Sequence, residues 1–463
     1  MDFLNSTENI VALATPPGQG AIAVIRLSGK EAFRILDSVF ETKGKKKISE
    51  QKSHTLHFGQ IKKDGSVIDE VLVSLFRAPH SYSGDDTVEI SCHGSTYIQQ
   101  QLLDLFISSG ARLAQPGEFT QRAFLNGKLD LSQAEAVADL VASGSEAEHR
   151  LAMQQMRGGY SDEMKQLRDQ LIHFASLIEL ELDFAEEDVQ FADRDQLTKL
   201  IDAITSRIQE LLHSFSMGNV IREGIPVAIA GKPNAGKSTL LNAILREERA
   251  LVSDIPGTTR DTIEEKVVID GIPFRFIDTA GIRESSDTIE RMGVNRTFEK
   301  MAASSVIFYV FDPATEDFES LEQQQEDLKK NYPGAELKFI CNKSDLYDEA
   351  ALRNKYKGLS GLLILSAKES THLDLVHSTL HDFVSTQKID FHSTIVSNAR
   401  HAEALRNTLN ALNDVREGIT SGLSGDLLSI HLRSALHHLG SITGEIATDD
   451  LLKNIFSRFC IGK

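Results

Sequence analysis

One strand-to-helix junction in the middle of the chain limits its possible folds more than any other stretch. An apolar run, Pro226–Ala230, leads into Gly231-Lys232-Pro233-Asn234-Ala235-Gly236-Lys237-Ser238, and Thr239-Leu240-Leu241 opens a second apolar run at once. This is G-x-x-x-x-G-K-[ST] set between a strand and a helix, the arrangement that brings backbone N–H groups to a helix N-terminus. The glycines let those groups turn inward around a β-phosphate. Lys237 neutralises β and γ oxygens, and the Ser238 hydroxyl is placed to ligate Mg²⁺. The junction predicts an α/β unit that binds a nucleoside triphosphate.

Downstream spacing names the base. Strand Phe274–Ile277, paired through an Asp270-Gly271 turn with Glu264–Ile269, ends in Asp278-Thr279-Ala280-Gly281. That places a carboxylate beside Mg²⁺ and a glycine amide near the γ-phosphate. Strand Leu337–Cys341 runs into Asn342-Lys343-Ser344-Asp345. Asp345 can accept from guanine N1–H and the N2 amino group together, a donor pair that adenine lacks, while Lys343 covers the ring. Ser366-Ala367-Lys368, after strand Leu362–Leu365, supplies a loop that closes over the base. With Ser253-Asp254-Ile255-Pro256-Gly257-Thr258-Thr259-Arg260-Asp261 between the first two motifs, the set resembles the five signatures of translation-factor-like GTPases. A threonine in that loop can bind Mg²⁺ only while a γ-phosphate is present, and we assign this role to Thr259. Ile282 stands where many GTPases carry a water-orienting glutamine. An isoleucine cannot hydrogen-bond water, which leaves Glu284, Asp287 and Glu290 as candidates.

The remaining sequence has two other textures. At roughly 150 residues per domain, 463 residues suggest about three domains. Up to about residue 125, short β-like runs (Ala21–Leu27, Val71–Phe76, Thr87–Ser91) alternate with turn clusters at Lys63-Asp64-Gly65-Ser66 and Ser81-Tyr82-Ser83-Gly84, predicting an α+β domain. From about 127 to 217 the apolar residues take helical spacing: Met164, Leu167, Leu171, Phe174 and Ile178, then Leu197, Ile201, Ile204, Ile208, Leu211 and Phe215. The same period returns after about 383 with Leu405, Leu409, Leu412, Leu428, Leu432, Ala435 and Leu439. One helical domain interrupted by an insertion and two separate helical pieces both satisfy this pattern.

Composition excludes several classes. No apolar run approaches the ~20 residues of a membrane span, and residues 1–18 carry no export or transit signal, so a cytoplasmic protein is expected. Cys92, Cys341 and Cys460 lack the spacing of a disulfide framework or zinc ribbon. The net charge of −18 repels polyanions on average, so nucleic acid must meet a local patch. The densest basic run is Lys43, Lys45, Lys46 and Lys47, with Lys62 and Lys63 nearby.

The phosphate loop, Pro256-Gly257-Thr258-Thr259-Arg260-Asp261, the segment Phe124-Leu125-Asn126-Gly127-Lys128-Leu129-Asp130-Leu131 and the terminal Phe459-Cys460-Ile461-Gly462-Lys463 together resemble the MnmE (TrmE) tRNA modification GTPases over the whole chain. The acidic run Glu179–Asp188 is similar to that family's helical domain. The resemblance implies an N-terminal α+β folate-binding and dimerisation domain (1–126), a helical domain in two parts (127–222 and 385–463) and an inserted Ras-like G domain (223–384). It implies 5-formyl-tetrahydrofolate or a related folate at Arg26, Glu89, Lys128 and Lys463. It further implies a K⁺ ion held by Asn234 with Ser253, Ile255 and Thr258, hydrolysis activated by pairing of G domains, and Glu290 as the water-orienting residue. Ser253 departs from the threonine expected there, which a backbone ligand tolerates. Cys460 is a candidate for the modification chemistry or for a positional role.

The function so implied is that of a homodimeric GTPase. With a flavin-dependent partner resembling MnmG, it adds an aminomethyl-type (carboxymethylaminomethyl) group to C5 of the wobble uridine of certain tRNAs. Two other readings stand beside it, a ribosome-assembly switch and a stand-alone folate enzyme regulated by GTP. Residues 391–463 hold seven basic and seven acidic residues, so the basic RNA-binding appendage usual in the first is absent there.

Overall fold

The computed structural model describes residues 8–42, 44, 47–183, 193–249, 264–278, 301–302, 304–386 and 394–462. The chain divides into two compact units, one of Met1–Val141, Gln154–Thr205 and Ala404–Lys463, the other of Ala142–Met153 and Ser206–Glu403.

Among the described residues of the first unit seven strands form one sheet: β1 (Asn9–Leu13), β2 (Ile22–Ser28), β3 (Phe40–Thr42), β4 (Thr55–Lys63), β5 (Ser66–Phe76), β6 (Thr87–His93) and β7 (Ala111–Leu113), in the order β3-β4-β5-β6-β2-β1-β7. Neighbours are antiparallel except β1 and β7. Val71, Val73 and Leu75 alternate inward along β5, as a period of two requires, and are buried with Ile35, Leu36, Leu102 and Phe106 of helices Ala32–Val39 and Thr96–Ser108. β5 starts five residues before the expected Val71. Its polar beginning still pairs with β4, through a register shift at Ile61/Lys62, and Asp69 is buried there as acceptor for the His93 N–H at 2.8 Å. The Asp64-Gly65 turn between these strands takes φ of 50° and 82°, the left-handed pair of a tight hairpin.

Helices Gly159–Asp183 and Gly425–Thr443 pack on one another in this unit. Their buried seams carry Met164, Leu167, Leu171 and Ile178, and Leu428, Leu432, Ala435 and Leu439. Two seam positions differ from the sequence reading. Ala175 is buried where Phe174 is only half so. Thr408 replaces Leu409 on the buried face of helix Ala399–Thr420, its hydroxyl satisfied by the Ala404 carbonyl at 2.8 Å. Helix Asp449–Phe456 and the segment after it pack Phe456 and Phe459 against Leu131 and Ala134.

Among the described residues the second unit holds six strands: β8 (Ile225–Ala230), β9 (Glu264–Ile269), β10 (Ile272–Asp278), β11 (Val306–Phe311), β12 (Glu336–Cys341) and β13 (Leu362–Ile364), in the order β13-β12-β11-β8-β10-β9. All pair in parallel except edge strand β9, which meets β10 antiparallel. β8 and β11 are buried at every residue, which is why both read as continuous apolar runs. One face packs on helices Lys237–Arg249 and Asp374–Thr386 through Leu240, Ile244, Val376 and Leu380. The other face packs on Phe318–Asn331 and Glu349–Lys355 through Leu321, Leu328 and Leu352. β10 lies to one side of β8 and β11 to the other, so the strand order reverses at β8. The crevice beyond its carboxyl end is where such sheets bind ligands.

Candidate functional site

Because five strands run in parallel, their carboxyl ends share one edge. β8 ends before Gly231, β10 at Asp278, β11 before Asp312, β12 before Asn342 and β13 just before Ser366. Motifs up to 136 positions apart, Ala230 to Ser366, are thereby brought to one side of the sheet.

The phosphate loop requires its glycines on steric grounds. Gly231 has φ of 140°, and a Cβ there would sit 2.0 Å from the Val310 carbonyl oxygen. At Gly236, with φ of 97°, a Cβ would meet Asn342 Nδ2 at 2.2 Å. Asn234 takes the left-handed conformation with φ of 63°, which asparagine tolerates better than most residues. Helix Lys237–Arg249 begins directly after, exposing Ser238 and Thr239 on its first turn. Lys237 Nζ donates to the carbonyls of Gly231 and Lys232, both at 2.8 Å, so the ammonium lies over the loop that it serves.

Asn342 ties this loop to the base loop. It is 2% exposed, its Nδ2 donates to Ala235 O at 2.9 Å, and its Oδ1 accepts from Ala367 N at 3.0 Å. Asp345 is exposed at the edge and accepts from Ser366 Oγ at 2.5 Å. Lys368 lies exposed beside Glu369. Lys343, left-handed at φ of 60°, donates Nζ to Asp312 Oδ2 at 2.6 Å. Burial opposes the charge on Asp312, yet the Lys343 bond and the Ala314 N–H hold its carboxyl below the usual range. The sequence reading missed Asp312 and Glu316. Glu316 is 3% exposed, and its Oε2 accepts from Tyr309 OH and from Lys232 Nζ, each at 3.2 Å. Burial, with the Glu316 charge beside it, raises the Tyr309 pKa. The signal available was an acidic residue directly following a wholly apolar strand.

Ser253, Asp254, Ile255, Pro256, Gly257, Thr258, Thr259, Thr279, Ala280, Gly281, Ile282, Glu284, Asp287, Glu290 and Lys463 lie outside the described residues. Asp278 is described as the last residue of β10, opposite Ile229.

In the first unit, Arg26 and Glu89 face each other across β2 and β6. Arg26 Nε donates to Glu89 Oε1 at 2.9 Å, Nη2 lies 2.8 Å from the same oxygen, and Nη1 donates to the Gly462 carbonyl at 3.1 Å. Its guanidinium also lies over the rings of Tyr82 and Phe119, 5.2 and 5.5 Å from their centroids. The terminal segment is thus seated beside two of the four expected folate residues. Lys128 is exposed just past helix Glu118–Leu125, its N–H bonded to Ala123 O at 2.8 Å. The Cys460 thiol is exposed, with its backbone carbonyl accepting from Gly117 N at 3.4 Å. Cys92 and Cys341 are buried, and burial pushes their thiols up to about 11 and about 12, leaving both inert at neutral pH.

The family described as "MnmE helical domain" matches residues 131–460, and "GTP-binding protein TrmE N-terminus" matches residues 9–128. Among curated relatives, a tRNA modification GTPase MnmE of Flavobacterium johnsoniae is 54% identical over 462 residues, covering 98% of this chain and 99% of its own. Proteins of the same name from Cytophaga hutchinsonii and Bacteroides thetaiotaomicron are 53% and 51% identical, covering 99% and 98% of this chain and 98% and 99% of their own.

Proposed function

The chain belongs to the MnmE family of tRNA modification GTPases, and from that premise we propose the chemistry its residues perform. It is a GTP hydrolase of tRNA modification. The observation that carries the finer reading is Asn342, buried between the phosphate loop and the loop that would cap the base, with Asp345 exposed alongside. Asp345 recognises the guanine edge, Lys343 covers the ring, Ser366, Ala367 and Lys368 close over it, and the amides from Asn234 to Thr239 hold the phosphates with Lys237. The cradle at Gly231 and Gly236, which a Cβ would fill, and the exposed Ser238 hydroxyl fit a Mg²⁺-bound triphosphate. Ser238 and Thr259 would hold that ion, with Asp278, Thr279, Ala280 and Gly281 beside it. Asn234, whose left-handed backbone sets it apart in the loop, would hold K⁺ together with Ser253, Ile255 and Thr258. The ion supplies positive charge where other GTPases use an arginine. Glu290 orients the attacking water.

The segment 223–384 is read as a G domain inserted between the helical parts 127–222 and 385–463, with 1–126 as folate-binding and dimerising domain. Arg26 is paired with Glu89 and with the chain end, which supports a folate site completed by Lys128 and Lys463 next to Cys460. The protein acts in the cytoplasm as a homodimer with a flavoprotein resembling MnmG, modifying C5 of wobble uridine. Among the described residues no helix is long and apolar enough to cross a membrane.

The test uses purified full-length protein with GTP, Mg²⁺ and K⁺. It should hydrolyse GTP and leave tRNA unchanged. Adding the flavoprotein, a folate and a nitrogen donor should start modification, read by mass spectrometry of digested tRNA. Modification by this chain alone would overturn the two-protein reading, and folate turnover without a partner would favour a folate enzyme.

A further inference from the structure

The turn that follows β11 is absorbed by none of the recognised GTPase motifs, yet it touches two of them. Asp312, at the carboxyl end of β11, uses its two carboxylate oxygens differently. Oδ1 accepts from Ala314 N at 2.9 Å and closes its own turn, while Oδ2 takes the Lys343 ammonium at 2.6 Å. The side chain of Asp312 is 11% exposed and that of Lys343 34%, so the pair is shielded on the aspartate side and open on the lysine side. Four residues on, Glu316 takes Lys232 of the phosphate loop at 3.2 Å. The turn is itself fixed from behind, since Tyr356 OH donates to Glu316 O at 2.8 Å and Lys355 Nζ to Pro313 O at 3.2 Å.

We propose that Asp312 is a positioning residue for the nucleotide base: by anchoring the Lys343 ammonium it lays the lysine's methylene arm down as a fixed apolar surface for the purine ring. A lysine stem loses rotamer entropy when immobilised. With its head group already tethered, that loss is met before the nucleotide arrives, and the ring gains a preorganised platform. The contribution acts on the purine face and is blind to the groups on its edge. It therefore differs from that of Asp345, which reads N1–H and the N2 amino group. Asp312 acts through Lys343 and touches no reacting atom, so it alters affinity and leaves the chemical step unchanged.

The inference rests on reading Lys343 as the ring-covering lysine, and the experiment separates the two. Binding of fluorescent GDP and of IDP is measured on the full-length protein for wild type, Asp312→Asn, Lys343→Ala and the double variant, with steady-state GTP turnover alongside. Asparagine keeps the Ala314 bond through its own Oδ1, so the turn survives, and Asp312→Ser, which can also accept from Ala314 N, is the second variant if the first fails to fold. Asp312→Asn should weaken GDP and IDP by the same factor, roughly tenfold for a partly exposed charge-assisted bond. It should raise KM with kcat unchanged, and it should have no further effect in the Lys343→Ala background. If Lys343→Ala itself leaves GDP affinity intact, the assignment of Lys343 falls. If Lys343→Ala weakens binding while Asp312→Asn does not, or if Asp312→Asn costs the same with Lys343 absent, the positioning role is refuted.

Discussion

Replacing Asn342 with alanine removes one side chain and orphans two backbone groups. The Ala367 N–H loses its acceptor at 3.0 Å and the Ala235 carbonyl its donor at 2.9 Å, in residues only 4% and 2% exposed. A buried polar group left unmet costs about 1–3 kcal/mol, so the pair together cost about 2–6 kcal/mol. The partners also fix which way the amide points, because one neighbour can only donate and the other can only accept. Hydrogen–deuterium exchange resolves where that energy is lost. In Asn342→Ala, the peptide containing Ala367 should exchange roughly 5- to 150-fold faster, its share of the penalty converted at 1.36 kcal/mol per decade. GDP affinity should fall with it, since phosphate and base loops no longer share a post. Asn342→Asp gives an asymmetric control: it keeps an acceptor for Ala367 N but sets a carboxylate oxygen against Ala235 O. Protection at Ala367 should survive there while the phosphate loop loosens. Unchanged exchange at both loops in Asn342→Ala would show that the bridge bears no load and would refute the reasoning.

Asp345→Asn should weaken GTP binding by about 1–3 kcal/mol, the scale of a hydrogen bond to a charged group, and relax preference over ATP; calorimetric titration showing undiminished preference would remove Asp345 from the base site. GTP turnover should be much faster in KCl than in NaCl at equal ionic strength, and Asn234→Ala should abolish the difference. Glu290→Ala should lower turnover by roughly 10²–10⁴ with GTP affinity retained, whereas a comparable loss in Glu284→Ala instead would move the water-orienting role. His381 bonds Asp270 in the β9–β10 turn, and that hydrogen bond raises its pKa above 6.5. A raised folded-state pKa stabilises below the unfolded value and fades as pH climbs through the folded one, so the Tm gap between wild type and His381→Gln should be widest below pH 6.5 and narrow as pH rises above it.

The phosphate loop was legible because its chemistry is encoded in eight consecutive residues, and the strands around it were legible because burial on both faces leaves an unbroken apolar run such as Val306–Phe311. What escaped depends on partners distant in sequence. Asp312 gains meaning from Lys343, 31 positions on, and Arg26 from Gly462, 436 positions on, and no local pattern carries either pairing. Arg26 read alone is a free cation for a ligand carboxylate; in the fold it is shared between Glu89 and the chain end. Phe174 and Leu409 were misplaced by one residue for a related reason. A helical period fixes a stripe about 100° wide, and small neighbours such as Ala175 and Thr408 can fill the seam when the facing helix comes close.

The carboxyl edge of the second sheet links its recognition groups to each other as well as presenting them to a nucleotide. Asn342 spans the loops at Ala235 and Ala367, Lys343 is held by Asp312, Asp345 by Ser366, and Lys232 by Glu316. Substitutions in such a network are non-additive, because removing any one member loosens the setting of the next. Loss of GTP affinity alone therefore cannot assign a role to a residue at this edge; many variants will share it. The ratio between GDP and IDP can, since only a group that reads the guanine N2 amino edge changes it. That ratio should move for Asp345 and stay fixed for Lys343 and Asp312, separating recognition of the base edge from support of its face.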